Sequence, residues 1–240
     1  MRLDKYISEA CQISRAQARA AVRAGAVSVN GAVCKAPDAQ VQGDGDVRMN
    51  GRALAREEFV YLMLDKPEGV VSASEDGRQT TVVDLVRDAY PRRSLFPAGR
   101  LDKTSTGFVL LTDDGGFAHD ILSPRRHVPK TYEVLLDTPL TQAMADGFAA
   151  GVTLADGQRL QPARLEPGNA GPCSAVVVLT QGVYHQIKRM FGVYGAGVNA
   201  LRRVAIGGLR LDSTLGPGGF RPITREELEM IGQPPRAGGR

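Results

Sequence analysis

A chain of 240 residues with 42% hydrophobic and 23% charged content has the makings of a soluble globular protein of one large or two modest domains. No apolar run approaches the ~20 residues of a membrane-spanning helix. The charged start, Met1-Arg2-Leu3-Asp4-Lys5, is unlike a secretory leader, and three scattered cysteines fit neither a disulfide frame nor a zinc knuckle.

The net charge of +4 is confined to one end, because residues 1–35 hold six basic side chains against two acidic ones and the remainder is neutral. Such an imbalance points to a polyanion as partner there, with nucleic acid the first candidate. "ISRAQARAAVRAG" (13–25) reads as a helix: Ser14 is the N-cap of a capping box with Gln17, Ile13 staples against Ala18, and Gly25 ends it. Arg15, Arg19 and Arg23 recur every fourth residue and form one ridge. No carboxylate at i+4 neutralises that ridge, which favours phosphate contacts over a merely solvated face. "VSVNGAV" (27–33) is a hairpin around Asn30-Gly31, and "GDGD" and "NGR" mark further turns. "GRALAREEF" (51–59) is a polar connector.

From Val60 the pattern changes to strands: "VYLMLDKP", "TGFVLLTDDG", "TYEVLLD", "CSAVVVLTQG" and "RVAIGGLRL". Helices are expected at "TTVVDLVRDAY", "PLTQAMADGFAAG", "GVYHQIKRMFGVYG" and "TREELEMIG". Runs of strands with occasional helices predict an α+β domain on a mixed, largely antiparallel sheet. The division expected is residues 1–58 for the N-terminal domain with its linker and 59–233 for the second domain. The remaining 234–240 have nothing to bury and are expected to be a disordered tail.

Three stretches could carry chemistry. In "AGRLDKTSTGFVLLTDDGG" (98–116), Asp102 sits in a loop that a strand would hold rigidly. A turn aspartate, an N-cap and a catalytic carboxylate all fit that position. Gly99 allows close backbone approach, Arg100 offers a planar cation for phosphate or base stacking, and Thr104, Ser105 and Thr106 can brace the loop. In "GVYHQIKRM" (182–190), Lys188 and Arg189 lie among apolar residues, so they either snorkel or pair with a carboxylate. "SPRRHVPKTY" (123–132) places Arg125, Arg126, His127 and Lys130 in a basic loop suited to RNA, ending at Tyr132 on a strand start. His119, His127 and His185 are too scattered for a metal site.

Residues 1–48, with "RLDKYIS", "SRAQARAAVRAGAVSVNG" and the hairpin, resemble an S4 RNA-binding domain. Behind it, "YLMLDKPEGVVSAS", "AGRLDKTSTGFVLLTDDG", "SPRRHVPKTYEV", "GVYHQIKRMF" and "LRRVAIGGLRL" follow in fixed order. Together they resemble the bacterial ribosomal-RNA pseudouridine synthases of the RsuA type over essentially all of residues 1–232. The resemblance implies a catalytic role for Asp102 and a base-packing, proton-accepting role for Tyr132. It also implies that Lys188 pairs with Asp102, that Leu201 lines the pocket, and that Arg100 helps to replace a flipped nucleotide. Lys130 and Gln186 join Arg15, Arg19 and Arg23 as expected substrate contacts.

Pseudouridylation moves a glycosidic bond within one nucleotide and adds nothing, so no cofactor or metal is expected. "YHQIKRM" resembles the small-subunit enzymes more than the large-subunit ones, which tend to carry Arg-Gln at the His185-Gln186 step. The expected partner is therefore 16S ribosomal RNA or a partly assembled small subunit. The protein is expected to be a cytoplasmic monomer with no membrane contact. Rival readings are a 23S enzyme of the same family and, in another class, a non-catalytic S4 assembly factor, which would have lost Asp102 or Lys188. An S4-bearing tRNA synthetase would need a nucleotide-binding core that this pattern lacks.

Overall fold

The computed structural model describes residues 1–42, 45–54, 59–123, 126 and 128–232. The chain forms two compact units, one of Met1–Val60 with Arg87–Ser94 and one of Tyr61–Val86 with Leu95 onward. Residues 87–94 thus group with the first unit, whereas the sequence division assigns them to the second domain. The tail 234–240, the middle of the 51–59 connector, the "GDGD" turn, Arg125 and His127 lie wholly or partly outside the described residues.

In the first unit, α1 (Leu3–Ala10) packs beside α2 (Arg15–Arg23). The capping box at α2 is present as the sequence implies: Ser14 Oγ accepts from Gln17 N–H at 3.2 Å and Gln17 Oε1 from Ser14 N–H at 2.9 Å. Strands β1 (Val27–Val29), β2 (Ala32–Val33), β3 (Val47–Met49) and β4 (Arg52–Ala53) form a four-stranded antiparallel sheet. The β1–β2 turn has Asn30 at φ 52° and Gly31 at φ 81°, the pair of left-handed residues a two-residue hairpin requires. Leu3, Ile7, Ala18, Val22, Val27 and Val47 close a small core.

The ridge differs from expectation at Arg19. Its Nε donates to Asp4 Oδ2 at 3.1 Å, and Arg2 also binds this fully buried carboxylate. Burial pushes the Asp4 carboxyl up, but the hydrogen bonds from Arg2 and Arg19, with the charges of Arg2 and Arg15, outweigh it and leave the group below its usual range. The neutralising charge comes from the adjacent helix, where a search along α2 alone could not find it.

The second unit is built on a nine-stranded sheet: β5 (Tyr61–Lys66), β6 (Phe96–Pro97), β7 (Thr106–Thr112), β8 (Lys130–Leu136), β9 (Arg164–Pro167), β10 (Ser174–Leu179), β11 (Val198–Ile206), β12 (Leu209–Arg210) and β13 (Phe220–Pro222). Its main order is β13-β5-β7-β11-β8-β10-β9, with β12 on β11 and β6 on β7. Among the described strand pairs of this sheet, β7–β11 is the parallel one and the rest are antiparallel, so the sheet is mixed and largely antiparallel, as expected. Helices α3 (Gly115–Leu122), α4 (Gln142–Ala150), α5 (Gln186–Gly192) and α6 (Arg225–Ile231) complete the unit. One core gathers α4 and α5 against β8, β10 and Leu201 of β11, with Phe148 and Phe191 at 4.8 Å between ring centroids. A second gathers Ala118, Ile121 and Ile231 of α3 and α6 against Met63, Phe108 and Leu110.

Two elements differ from the sequence reading. The helix expected over residues 80–90 is only a 3₁₀ turn, Asp84–Val86. Thr81 and Asp84 exchange three hydrogen bonds in a capping-box arrangement that starts a turn, but the run contains four successive β-branched residues, which disfavour its continuation as an α-helix. Conversely, α3 is absent from the sequence reading: only Gly115 falls in the strand stretch "TGFVLLTDDG", and 116–122 has no element assigned to it. Asp114 caps it by accepting from Phe117 N–H at 2.9 Å, and the cap overrides the poor propensity of Gly115-Gly116.

Candidate active site

The loop before β7 has its backbone held from behind, carbonyl by carbonyl. Ser72 Oγ donates to Leu101 C=O and accepts from Leu101 N–H, both at 3.0 Å. Asp102 C=O accepts from Ser105 N–H at 3.0 Å and Lys103 C=O from Gly69 N–H at 2.9 Å. The fully buried Lys66, at the end of β5, donates its ammonium to the carbonyls of Ser105 (2.7 Å), Pro67 (3.0 Å) and Lys103 (3.3 Å). Arg203, 3% exposed on β11, donates Nε to Phe108 C=O at 2.7 Å and NH1 to Arg100 C=O at 3.4 Å. A loop so clamped presents the Asp102 side chain, 30% exposed, at a fixed place. Preorganisation of this kind is what a catalytic carboxylate requires. Asp102 is therefore a turn residue as well, and the turn is what presents it.

Burial pushes the Lys66 amine down to about 8, against the pull of the Asp102 and Glu68 carboxylates and with a further downward push from Arg203. Lys130 is likewise brought to about 8 by burial and then by Arg203. Register explains the grouping. Tyr132 lies opposite Arg203 and Val134 opposite Leu201 on the β8–β11 ladder, so Tyr132, Arg203 and Leu201 share one face of the sheet. On the other side of β11, Gly107 of β7 lies opposite Arg203. It has φ 99°, and a Cβ there would collide with the Arg203 carbonyl and lie 2.9 Å from the Arg203 nitrogen. Only glycine lets the two parallel strands meet there.

Lys188 does not pair with Asp102. Its ammonium donates to Thr104 Oγ1 at 2.9 Å, two residues along the loop. The basic group beside Asp102 is His185, with Nε2 3.4 Å from Asp102 Oδ2. The left-handed backbone of His185, φ 50° and ψ 31°, sets it off from α5, while Lys188 lies one turn further along. Arg189, its neighbour, is ion-paired with Asp156.

Lys188, Leu201, Thr104, Thr106, Glu68 and Asn199 line a cleft of about 300 Å³; Asp102 is not part of that lining, and its loop enters it with Thr104. Arg100 is exposed, as a side chain entering an RNA stack would need to be. Gln186 departs from its expected role as a substrate contact. It is 5% exposed, accepts from Val183 N–H at 3.0 Å and lies 3.5 Å from the Gln181 amide oxygen, so it fastens the turn that leads into α5. Arg126 is ion-paired with Asp120. Among the described residues, no cluster of three or more His, Cys, Asp or Glu is placed to hold a metal, and no helix is long and apolar enough to cross a membrane.

The sequence reading missed Lys66, Ser72 and Arg203. The signal for Lys66 was available, because a lysine closing the apolar run "YLMLD" is as awkward a cation as Lys188.

Residues 60–192 match the RNA pseudouridylate synthase family and residues 1–47 the S4 domain. The chain is thus an RNA-modifying isomerase with an RNA-binding module ahead of it in the sequence. The chain is 42% identical to an uncharacterised RNA pseudouridine synthase, YtzG, of Bacillus subtilis, covering 98% of this chain and 99% of that one. It is 40% identical to ribosomal small subunit pseudouridine synthase A of Escherichia coli, covering 96% and 100%. A crystal structure of a pseudouridylate synthase superposes with a TM-score of 0.67 at 36% identity, covering 96% and 99%. The chain belongs to the RNA pseudouridine synthase family, in its RsuA-type branch with an N-terminal S4 domain.

Proposed function

We propose that this protein converts one uridine of 16S ribosomal RNA to pseudouridine, with Asp102 as the catalytic carboxylate. The observation that carries the reading is the Asp102 loop itself, whose carbonyls are tied down by Lys66, Ser72 and Arg203 while its one carboxylate stays accessible. In the reaction the bond from N1 to C1′ breaks, the uracil turns, and C5 bonds to C1′. The C5 proton leaves and N1 gains one. An ionised carboxylate at the sugar serves this by attacking C1′ or by taking the ribose 2′ proton, and both routes need it held within reach.

Tyr132 packs on the base and relays the C5 proton. Leu201 supplies the apolar wall of the pocket, and Lys188 holds Thr104 and thereby the Asp102 loop. The target must leave its stack to reach the site, and Arg100 fills the gap. Lys130 adds positive charge beside Tyr132. Arg15 and Arg23 of the S4 domain contact RNA phosphates, with Arg19 serving both Asp4 and that surface.

The small-subunit assignment is supported by the names of the relatives from Escherichia coli and Yersinia pestis, both 40% identical and both called ribosomal small subunit pseudouridine synthase A. The test is to map pseudouridines in rRNA from cells lacking this protein. One site in 16S rRNA should disappear and return with the wild-type gene. A site lost from 23S rRNA alone would move the protein to a large-subunit role.

A further inference from the structure

Tyr184 and His185 have no part in the chemistry described so far, yet their geometry is unusual. Their rings stack at 3.8 Å between centroids with 18° between planes. Tyr184 is 75% exposed, so the face turned away from His185 is open. His185 takes a left-handed backbone, uncommon for a residue other than glycine, and sets its Nε2 3.4 Å from Asp102 Oδ2. The turn carrying both is fixed, since Gln186 N–H donates to Val183 C=O and Val183 N–H to the Gln186 side chain. The result is a rigid two-ring step that begins at the catalytic carboxylate and ends in an open aromatic face.

We infer that the Tyr184–His185 step is a stacking platform for an unpaired nucleobase flanking the target uridine. An exposed aromatic ring held flat offers what a base needs, because every base has a π-face and stacking requires no particular sequence. Flipping the target leaves its neighbours without a stacking partner, and the platform lies one imidazole away from the carboxylate that meets the target's ribose. The target base itself belongs deeper, against Tyr132 and Leu201, so the open ring is left for an adjacent nucleotide. His185 acts as a positioning residue that ties the platform to Asp102.

The inference rests on the reading of this chain as an enzyme acting on ribosomal RNA, and the test separates the two. A synthetic RNA carrying the uridine identified by mapping is made with 2-aminopurine at either neighbouring position. Its fluorescence is titrated with wild-type protein, Y184L and Y184F, alongside single-turnover tritium release and melting temperatures. Wild type should quench the probe at one of the two positions. Y184L should lose that quench and bind about tenfold more weakly, the scale of one lost base–aromatic stack, while its saturated single-turnover rate and melting temperature hold. Y184F should restore both quench and affinity.

Unchanged quench and affinity in Y184L would overturn the platform, as would a loss confined to the saturated rate. Failure of the wild type to release tritium from this RNA would overturn the functional reading instead.

Discussion

Lys66 has three carbonyls around its ammonium and is held near 8 by burial. A neutral amine has two hydrogens for those three acceptors and no charge to set against Asp102. Activity should therefore fall as pH rises past about 8. Stability should not follow it. The unfolded lysine keeps its proton to about 10.4, so between about 8 and that value the unfolded chain binds more protons, and this group makes stability rise with pH. Lys130 titrates in the same range, and K130M separates the two. The single-turnover rate of K130M should keep its alkaline limb near pH 8 while the melting temperature shows no matching drop. A limb that vanishes in K130M would assign it to Lys130.

At this scale the sequence pointed to Asp102, Tyr132 and Leu201 through motif order, but not to what holds them. Lys66 and Ser72 sit some thirty residues before the loop and Arg203 about a hundred after it, and a linear pattern carries no sign of such distant backbone contacts. The Lys188–Asp102 pairing was misread for a related reason, since it depends on where the left-handed turn at His185 places that ring.

At the scale of elements, the two hairpin turns, the capped α2 and the long strands were legible because Asn-Gly pairs, capping boxes and apolar runs act locally. The segment 80–90 was not, because its Thr81–Asp84 cap starts only a single 3₁₀ turn in a run of β-branched residues. Two predictions belong here. G107A places a Cβ against the Arg203 backbone at φ 99°, where the parallel β7–β11 junction cannot open without loss. It should cost more than about 2 kcal/mol and lower the melting temperature by about 5 °C or more. A melting temperature within a degree of wild type would show that the junction gives way easily. On α2, R15Q/R23Q should flatten the salt dependence of RNA binding by about 0.7–0.9 in log–log slope per lost phosphate contact. An unchanged slope would reduce the ridge to a solvated face. Arg19 is left intact in that variant because it holds the buried Asp4, and R19Q should instead destabilise the first unit.

For the whole molecule, the chain divides into two compact units, each with its own hydrophobic core. The excess positive charge lies in residues 1–35, and the carboxylate loop lies in the second unit. Binding and chemistry should accordingly respond to different substitutions. That separation makes the central claim testable with a single change that keeps the size of the side chain and removes only its charge. D102N should release no measurable tritium from 5-tritiated uridine in ribosomal RNA, whether offered as transcript or as ribonucleoprotein, while its RNA affinity and melting temperature match wild type. Tritium release by D102N within tenfold of the wild-type rate would contradict the assignment of Asp102 as the catalyst.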